Sequence, residues 1–339
     1  MSLEELLGKQ VERDITNAAG LVLVPARFPM EQEHIRLLEQ HRVNYSEVIL
    51  MDNNAPGPVP APADLVPEAS RYSKNLFEHI LRKKKVPLLE IKNELLPMLQ
   101  EIAEYPDMFY IFAAIKAKDE EYIHKHSVGV GVLSIMLGKW LGLGKADMAL
   151  LSLAAVLHDA GKVKIPDEIL QKPGKLTPEE SAEMKRHTIY GYELLKETVG
   201  LNSRVAQVAL QHHERADGRG YPLRLKGNQP DLLSRIVAVA DVYHAMSSSR
   251  PYHEALPFHE VIDRMRKGAF GQLDPHVSAV FLDNMIKGLI GRSVKLTDGR
   301  RGEVVFINPH DDTHPLVKVG ESFLDLSEER QLHMEEVMV

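Results

Sequence analysis

Residues 153–162 read LAAVLHDAGK: an apolar helical run, Met148–Leu157, stops at His158-Asp159 and is followed by Gly161 and Lys162. Leaving an imidazole and a carboxylate at the buried end of an apolar helix costs free energy unless they pair or bind an ion. Taken alone, the stretch fits either a buried His–Asp hydrogen bond or a metal site.

Four further features of the chain bear on that choice. His126 lies on the same face as Val130, Leu133, Leu137 and Trp140 by i, i+3/i+4 spacing, which is the core side of a helix over 122–141. His187 sits in EMKRHTIYGYELL, His212-His213 close VAQVALQHHE, and Asp241 interrupts the apolar IVAVADVYHAM. Each is unusual on a core-facing helix. Together they offer imidazoles and carboxylates, the donor set of iron, manganese, zinc and similar divalent ions. Seven donors exceed one tetrahedral site and suit two ions sharing a carboxylate, an arrangement that hydrolyses phosphate esters.

Around this centre the chain divides by composition. Residues 1–51 read as a small α+β module, with a strand at LVLVP, a helix over 31–41 and a strand over 43–51. The proline-rich stretch 52–67, DNNAPGPVPAPADLVP, reads as an extended linker. Residues 68–104 read as a helical connector. Helical periodicity then dominates, with helices expected over 72–84, 88–103, 146–159, 178–198, 204–213, 231–247 and 276–289. Residues 165–180 and 213–230 are rich in turn formers. From 291 to 339 short β-type runs alternate with turns, giving a β-rich appendage.

Composition narrows the function. A net charge of -7 gives no broad footprint for a nucleic acid polymer. The absence of cysteine excludes disulfides and thiolate ligation, and fits a reducing cytoplasm. No apolar run approaches the roughly 20 residues of a membrane span, and the first residues lack a signal peptide. A cytoplasmic protein is therefore expected.

HDAGK, then HHERADGRGYP, then a distal Asp and SSSRPYHEA resemble the HD-GYP branch of the HD phosphohydrolase superfamily over about residues 105–290. The resemblance implies a mainly α, HD-type helical bundle that hydrolyses cyclic di-GMP to linear pGpG, and in some members to GMP. It implies two divalent ions, iron or manganese. His126, His158, Asp159 and Asp241 match the basic HD ligands, with Asp159 bridging and acting in catalysis. His187, His212 and His213 match the ligands of the second ion. Lys162 matches a lysine beside the scissile phosphate, and Arg250 a phosphate-binding arginine. Gly220 and Tyr221 lie in the signature loop beside the substrate.

The chain departs from that pattern in places. Tyr122 stands where some members carry a glutamate that adds a third ion, so two ions are expected, with less capacity for the second cleavage. His253 stands where a second basic residue is common. A nucleotide sensor with little turnover, or a phosphohydrolase of another nucleotide, is the alternative. The flanking modules suggest a homodimer or a signalling partner.

Several polar residues are read as structural. His124 lies about 200° from His126 on the helix. His244, three after Asp241, is expected to make a core or supporting hydrogen bond. His276 reads as a helix-start residue. The basic run Arg82–Lys85 reads as a solvated helix end.

Overall fold

The computed structural model describes residues 6–9, 11, 13, 15–16, 22–24, 30, 32–41, 43, 48, 61–116, 122–172, 174–249, 254–267, 273–308, 311–329 and 331–339. At the N-terminal end a short hairpin, β1 (Ile15–Thr16) and β2 (Val22–Val24), precedes helix α1 (Gln32–Gln40). They enclose their own small core of Leu6, Val11, Ile15, Leu23, Val24, Met30, Leu38 and Val48. Most of the strand expected over 43–51 lies outside the described residues.

The extended linker expected over 52–67 does not persist to its end. Residues 52–60 lie outside the described residues, but α2 runs from Pro62 to Lys83 and includes Pro67. Pro62 occupies the first helical position, where its missing N–H costs nothing and its fixed φ favours the helix. Burial of Val66, Ala69, Leu76, Phe77 and Ile80 holds the rest. Prolines near a helix start were read as extended chain because composition does not distinguish the two uses.

Helix α3 (Leu88–Glu90) passes through a π-helical turn (Ile91–Leu95) into α4 (Leu96–Ala103). Pro97 has no N–H for the regular ladder, which accounts for the altered register just before it. Next come α5 (Met108–Ile115), α6 (Tyr122–Trp140), α7 (Lys145–Leu157), a 3-10 turn (Ala160–Lys164) and α8 (Asp167–Leu170). These are followed by α9 (Pro178–Lys185), α10 (His187–Lys196), α11 (Ser203–Gln211), α12 (Leu232–Ser247), α13 (Phe258–Arg266) and α14 (Pro275–Lys287).

The single helix expected over 178–198 is two, broken at Arg186, and this break turns His187 inward. Helices α5 and α13 were not anticipated. MFYIFAAI is apolar on every side, so it has no stripe for periodicity to reveal; Asp107 caps it by accepting from the N–H groups of Phe109 and Tyr110.

Helix α6 is the axis of the bundle. Val128, Val130, Val132, Leu133, Ile135, Met136 and Leu137 are all buried, and α2, α4, α7 and α12 lie against it. The core does not divide at residue 105 or at 290. Val66, Ile80, Leu95 and Leu99 share one cluster with the later helices. Val294, Leu296, Val304, Val317, Leu326 and Met334 join the same cluster. Residues of the expected connector and of the expected appendage thus contribute to one core.

The C-terminal strands β3 (Ser293–Leu296), β4 (Arg301–Asn308), β5 (Asp311–Val319), β6 (Ser322–Asp325) and β7 (Met334–Val337) form an antiparallel sheet in the order β6-β5-β4-β3-β7. Among the described residues no helix is long and apolar enough to cross a membrane.

Candidate metal centre

Five elements of the bundle converge on one point. His126 stands near the start of α6, and His158-Asp159 follow the last residue of α7. His187 opens α10, His212-His213 end α11, and Asp241 lies in α12. The helix ends have a chemical use, because their last carbonyls lack intrahelical donors. His158 Nδ1 donates to Ala155 O at 2.6 Å, and His187 Nδ1 to Met184 O at 2.7 Å. His212 Nδ1 reaches Val208 O and Ala209 O at 3.1 and 3.0 Å. Each bond places the ring proton on Nδ1 and leaves Nε2 as a lone pair facing the centre.

The chain brings together all seven residues that the sequence suggests as ligands. Asp159 lies at the middle, with its two oxygens facing different neighbours. Oδ2 is 3.2 Å from His158 Nε2 and 3.9 Å from His126 Nε2. Oδ1 is 3.4 Å from His187 Nε2 and 3.9 Å from His212 Nε2. Asp241 spans the same gap, with Oδ1 3.0 Å from His126 Nε2 and Oδ2 3.8 Å from His213 Nδ1. Two groups of donors are each gathered within 4.8 Å: His126, His158 and Asp159, and His187, His212 and His213.

These residues fit a pair of cations. Among the described residues, His158 Nε2 and Asp159 Oδ1 are buried and have no partner in hydrogen-bond geometry, close as their neighbours are. Burial of such atoms costs free energy that coordination recovers. The titration pattern agrees. Burial pulls the pKa values of His126 and His187 below the usual imidazole range against the opposing pull of nearby carboxylates. His212 lies well below it through burial and the neighbouring His213, and burial takes His213 itself to about 3. Burial alone would lower His158 and raise the two carboxyls, but their mutual attraction reverses both. Asp159 and Asp241 raise His158. Lys162 and His158 hold Asp159 well below the carboxylate range, and His126 does the same for Asp241. The centre therefore presents mainly neutral imidazoles and ionised carboxylates, the protonation states that ligands need.

Access is from the side of Lys162 and the loop after α11. Lys162 Nζ is 2.6 Å from Asp159 Oδ2, and its side chain keeps 21% exposure. The Tyr221 ring lies 4.8 Å from that of His213, at 30°. Gly220, expected beside the substrate, has a packing role: a Cβ there would come within 2.6 Å of Glu214 Cα and of His213 O. Arg250 and His253 lie outside the described residues. Helix α6 includes Tyr122.

Of the residues read as structural, His124 stacks edge-on against Phe77, away from the centre, and His276 is exposed in the first turn of α14. His244 is buried and 3.0 Å from His126, the supporting contact expected of it.

Two supports of the site were not read from the sequence. Glu214, buried, accepts from the backbone N–H groups of Leu223, Arg224 and Leu225 at 2.6, 3.2 and 2.9 Å, fastening the loop back to the end of α11. Arg204 makes a two-pronged bond to Asp231 at 2.8 and 2.9 Å and reaches Asp147 at 2.5 Å. It thereby ties the start of α11 to those of α12 and α7. The signal for Glu214 was its place directly after His212-His213. Arg204 gave none, since an arginine in a first helical turn is ordinary.

Known proteins resemble this chain. Residues 110–277 match a family model described as an HD domain. A cyclic di-GMP phosphodiesterase of Pseudomonas aeruginosa is 38% identical over 218 residues, which are 64% of this chain and 52% of that protein. A 3'3'-cGAMP-specific phosphodiesterase of Vibrio cholerae is 37% identical over 184 residues, 54% of this chain and 42% of that protein. The chain thus spans about half the length of these curated relatives. A solved structure of an HD-GYP-type protein from Bdellovibrio bacteriovorus superposes with a TM-score of 0.54 at 19% identity, covering 85% of this chain and 98% of that one. That likeness shows the fold.

Proposed function

The chain belongs to the HD-domain family through residues 110–277, and on that premise we propose that it is a metal-dependent phosphodiesterase that opens cyclic di-GMP to linear pGpG. The observation that carries this reading is Asp159, whose Oδ2 faces His158 and His126 while Oδ1 faces His187 and His212. One carboxylate between two histidine groups has a use if it belongs to two ions. His126, His158, Asp159 and Asp241 would hold the first; His187, His212, His213 and Asp159 the second. The all-nitrogen-and-oxygen donor set suits iron or manganese. Bound there, such a pair supplies Lewis-acid polarisation of a phosphodiester and a water of lowered pKa.

The remaining steps fall to the protein. Lys162, at the mouth of the centre, places an ammonium where an incoming phosphate would lie, and its pairing with Asp159 keeps it extended. Tyr221, stacked on His213, offers an aromatic edge beside the second group. Arg250 and His253 are assigned to the substrate phosphates by the resemblance of SSSRPYHEA. The apolar bundle behind the ligands keeps bulk water from one side. With Tyr122 in place of a glutamate, the resemblance implies less capacity for the second cleavage, from pGpG to GMP.

A second reading keeps the chemistry and changes the base, since the Vibrio relative is named for 3'3'-cGAMP. Anaerobically purified protein assayed for metal content and then given each cyclic dinucleotide, with products separated by chromatography, decides between them. Two ions per chain and conversion of cyclic di-GMP to pGpG are expected. Faster turnover of 3'3'-cGAMP would favour the second reading. Tight binding without turnover of either would leave a sensor.

A further inference from the structure

Three of the histidines that point Nε2 at the centre owe their ring orientation to a backbone carbonyl at the end of a helix. His126 is held differently. It stands inside α6, where the neighbouring carbonyls serve the helix. Its Nδ1 meets instead the Nδ1 of His244, at 3.0 Å, with the two rings 66° apart.

The proton between those two nitrogens can be located. His244 Nε2 is 3.0 Å from the carbonyl oxygen of Ile115, the last residue of α5. A carbonyl only accepts, so Nε2 of His244 carries a hydrogen. In a neutral imidazole the other nitrogen is then an acceptor. The hydrogen between the rings therefore belongs to His126 Nδ1. Ser248 Oγ, 3.4 Å from the same His244 nitrogen, can donate to it in this arrangement. The consequence is that Nε2 of His126 is a lone pair. It faces Asp241 Oδ1 at 3.0 Å and Asp159 Oδ2 at 3.9 Å. A lone pair against a carboxylate oxygen at that distance is repulsive unless a cation lies between them.

We propose that His244 is a positioning residue: it takes the orientation of the Ile115 carbonyl, passes it to His126, and so presents His126 Nε2 as a ligand of the ion shared with His158, Asp159 and Asp241. The inference rests on the two-metal reading above. Burial supports it. His126 and His244 are 3% and 1% exposed, so the contact between the two rings is closed to water. The helix opposite is shaped for the ring: a Cβ on Gly129, one turn beyond His126, would fall 2.1 Å from His244 Nε2. His244 thus anchors a fourth histidine of the centre, and it does so across three helices instead of within one.

Two variants of the full chain, His244→Phe and His244→Asn, test this. Phenylalanine keeps the ring and removes both nitrogens. Asparagine keeps an acceptor where Nδ1 stood. Supporting hydrogen bonds to metal-bound histidines are worth about 10–100-fold in affinity. Manganese binding measured by chelator competition should weaken by that factor in His244→Phe at one of two sites, while the other is unchanged. His244→Asn should lose less than the roughly 10-fold that marks a missing support. Nitrogen-15 NMR of the wild type loaded with diamagnetic zinc should find the His126 proton on Nδ1. If His244→Phe proves unfolded by circular dichroism, the NMR result and His244→Asn still decide.

A proton on His126 Nε2, unchanged affinity in folded His244→Phe, or equal loss in both variants would overturn the inference. Two ions bound by wild type together with any of these leaves the proposed function standing and removes only the role of His244. A wild type that takes up no metal removes both.

Discussion

Gly161 and His187 are in such close contact that a Cβ on the glycine would lie 1.9 Å from the carbonyl oxygen of the histidine. The same added atom would meet the backbone nitrogen of Gly191 at 2.3 Å. The glycine of HDAGK is thus the point at which the turn carrying Asp159 settles against the helix carrying His187. No side-chain rotation relieves a clash with backbone.

Gly161→Ala should therefore push α10 away from the 3-10 turn. Overpacking of this kind costs about 1–3 kcal/mol. The expected outcome is a lower urea midpoint, together with loss of metal from the His187, His212 and His213 group while the His126, His158 group keeps its ion. Metal analysis of the folded variant reads the second effect apart from the first. A variant that binds two ions with wild-type affinity would contradict the contact.

Asp159→Ala removes the carboxylate that faces both groups. Metal content should fall from two ions per chain to one or none. Hydrolysis should fall by more than the roughly 100-fold that loss of a supporting residue brings. The helices should remain, because the substitution keeps the Asp159 backbone carbonyl that accepts from Lys162 N–H, and the surrounding core is apolar. Circular dichroism, metal analysis and product chromatography on one preparation check the three statements together.

Much of this site was legible in the chain. A His–Asp pair at the end of an apolar helix, and single polar residues on other apolar helix faces, are conspicuous because burial makes them costly. The supports were less legible for the same reason in reverse. Arg204 and Glu214 sit among ordinary surface-type residues, and only the fold reveals what they grip. Helix α5 escaped notice because MFYIFAAI is apolar all round and so has no amphipathic period. Pro62 and Pro67 misled because proline favours both extended chain and a helix start. Gly220 has a use that its motif did not show, since the lack of a Cβ lets the loop lie on the end of α11.

The Arg204 clamp makes a prediction about acid. Burial would raise the Asp231 carboxyl, but the bond from Arg204 and the N–H of Leu233 outweigh it and lower its pKa. A carboxyl depressed in the folded state contributes stability that is complete above its unfolded value of about 3.9 and is lost as pH falls through the folded one. Arg204→Lys keeps the charge but not the paired geometry, at a cost of about 1 kcal/mol at neutral pH. The gap between wild type and variant should close below pH of about 4, where Asp231 takes up its proton. Urea midpoints measured at neutral pH and near pH 3 give the comparison, and a gap that widens in acid would reverse the sign claimed.

Glu214 is tested through the substrate. Its carboxylate accepts three backbone hydrogens from the strand of loop after Pro222, and its residue is only 6% exposed. Glu214→Gln keeps the shape but substitutes an amide whose NH2 group faces a backbone donor. Hydrogen bonds to a charged group contribute about 1.5–3 kcal/mol, roughly twice a neutral one. The loop should loosen while His212 and His213, held by their own helix, keep their places. The expected signature is a raised KM, with metal content unchanged and kcat reduced less than KM is raised. Tyr221 would move with the loop, since its N–H bonds to His213 O at 3.2 Å only while the loop lies flat on the helix end. Loss of metal equal to the loss of substrate affinity would place Glu214 in support of the histidines instead of the loop.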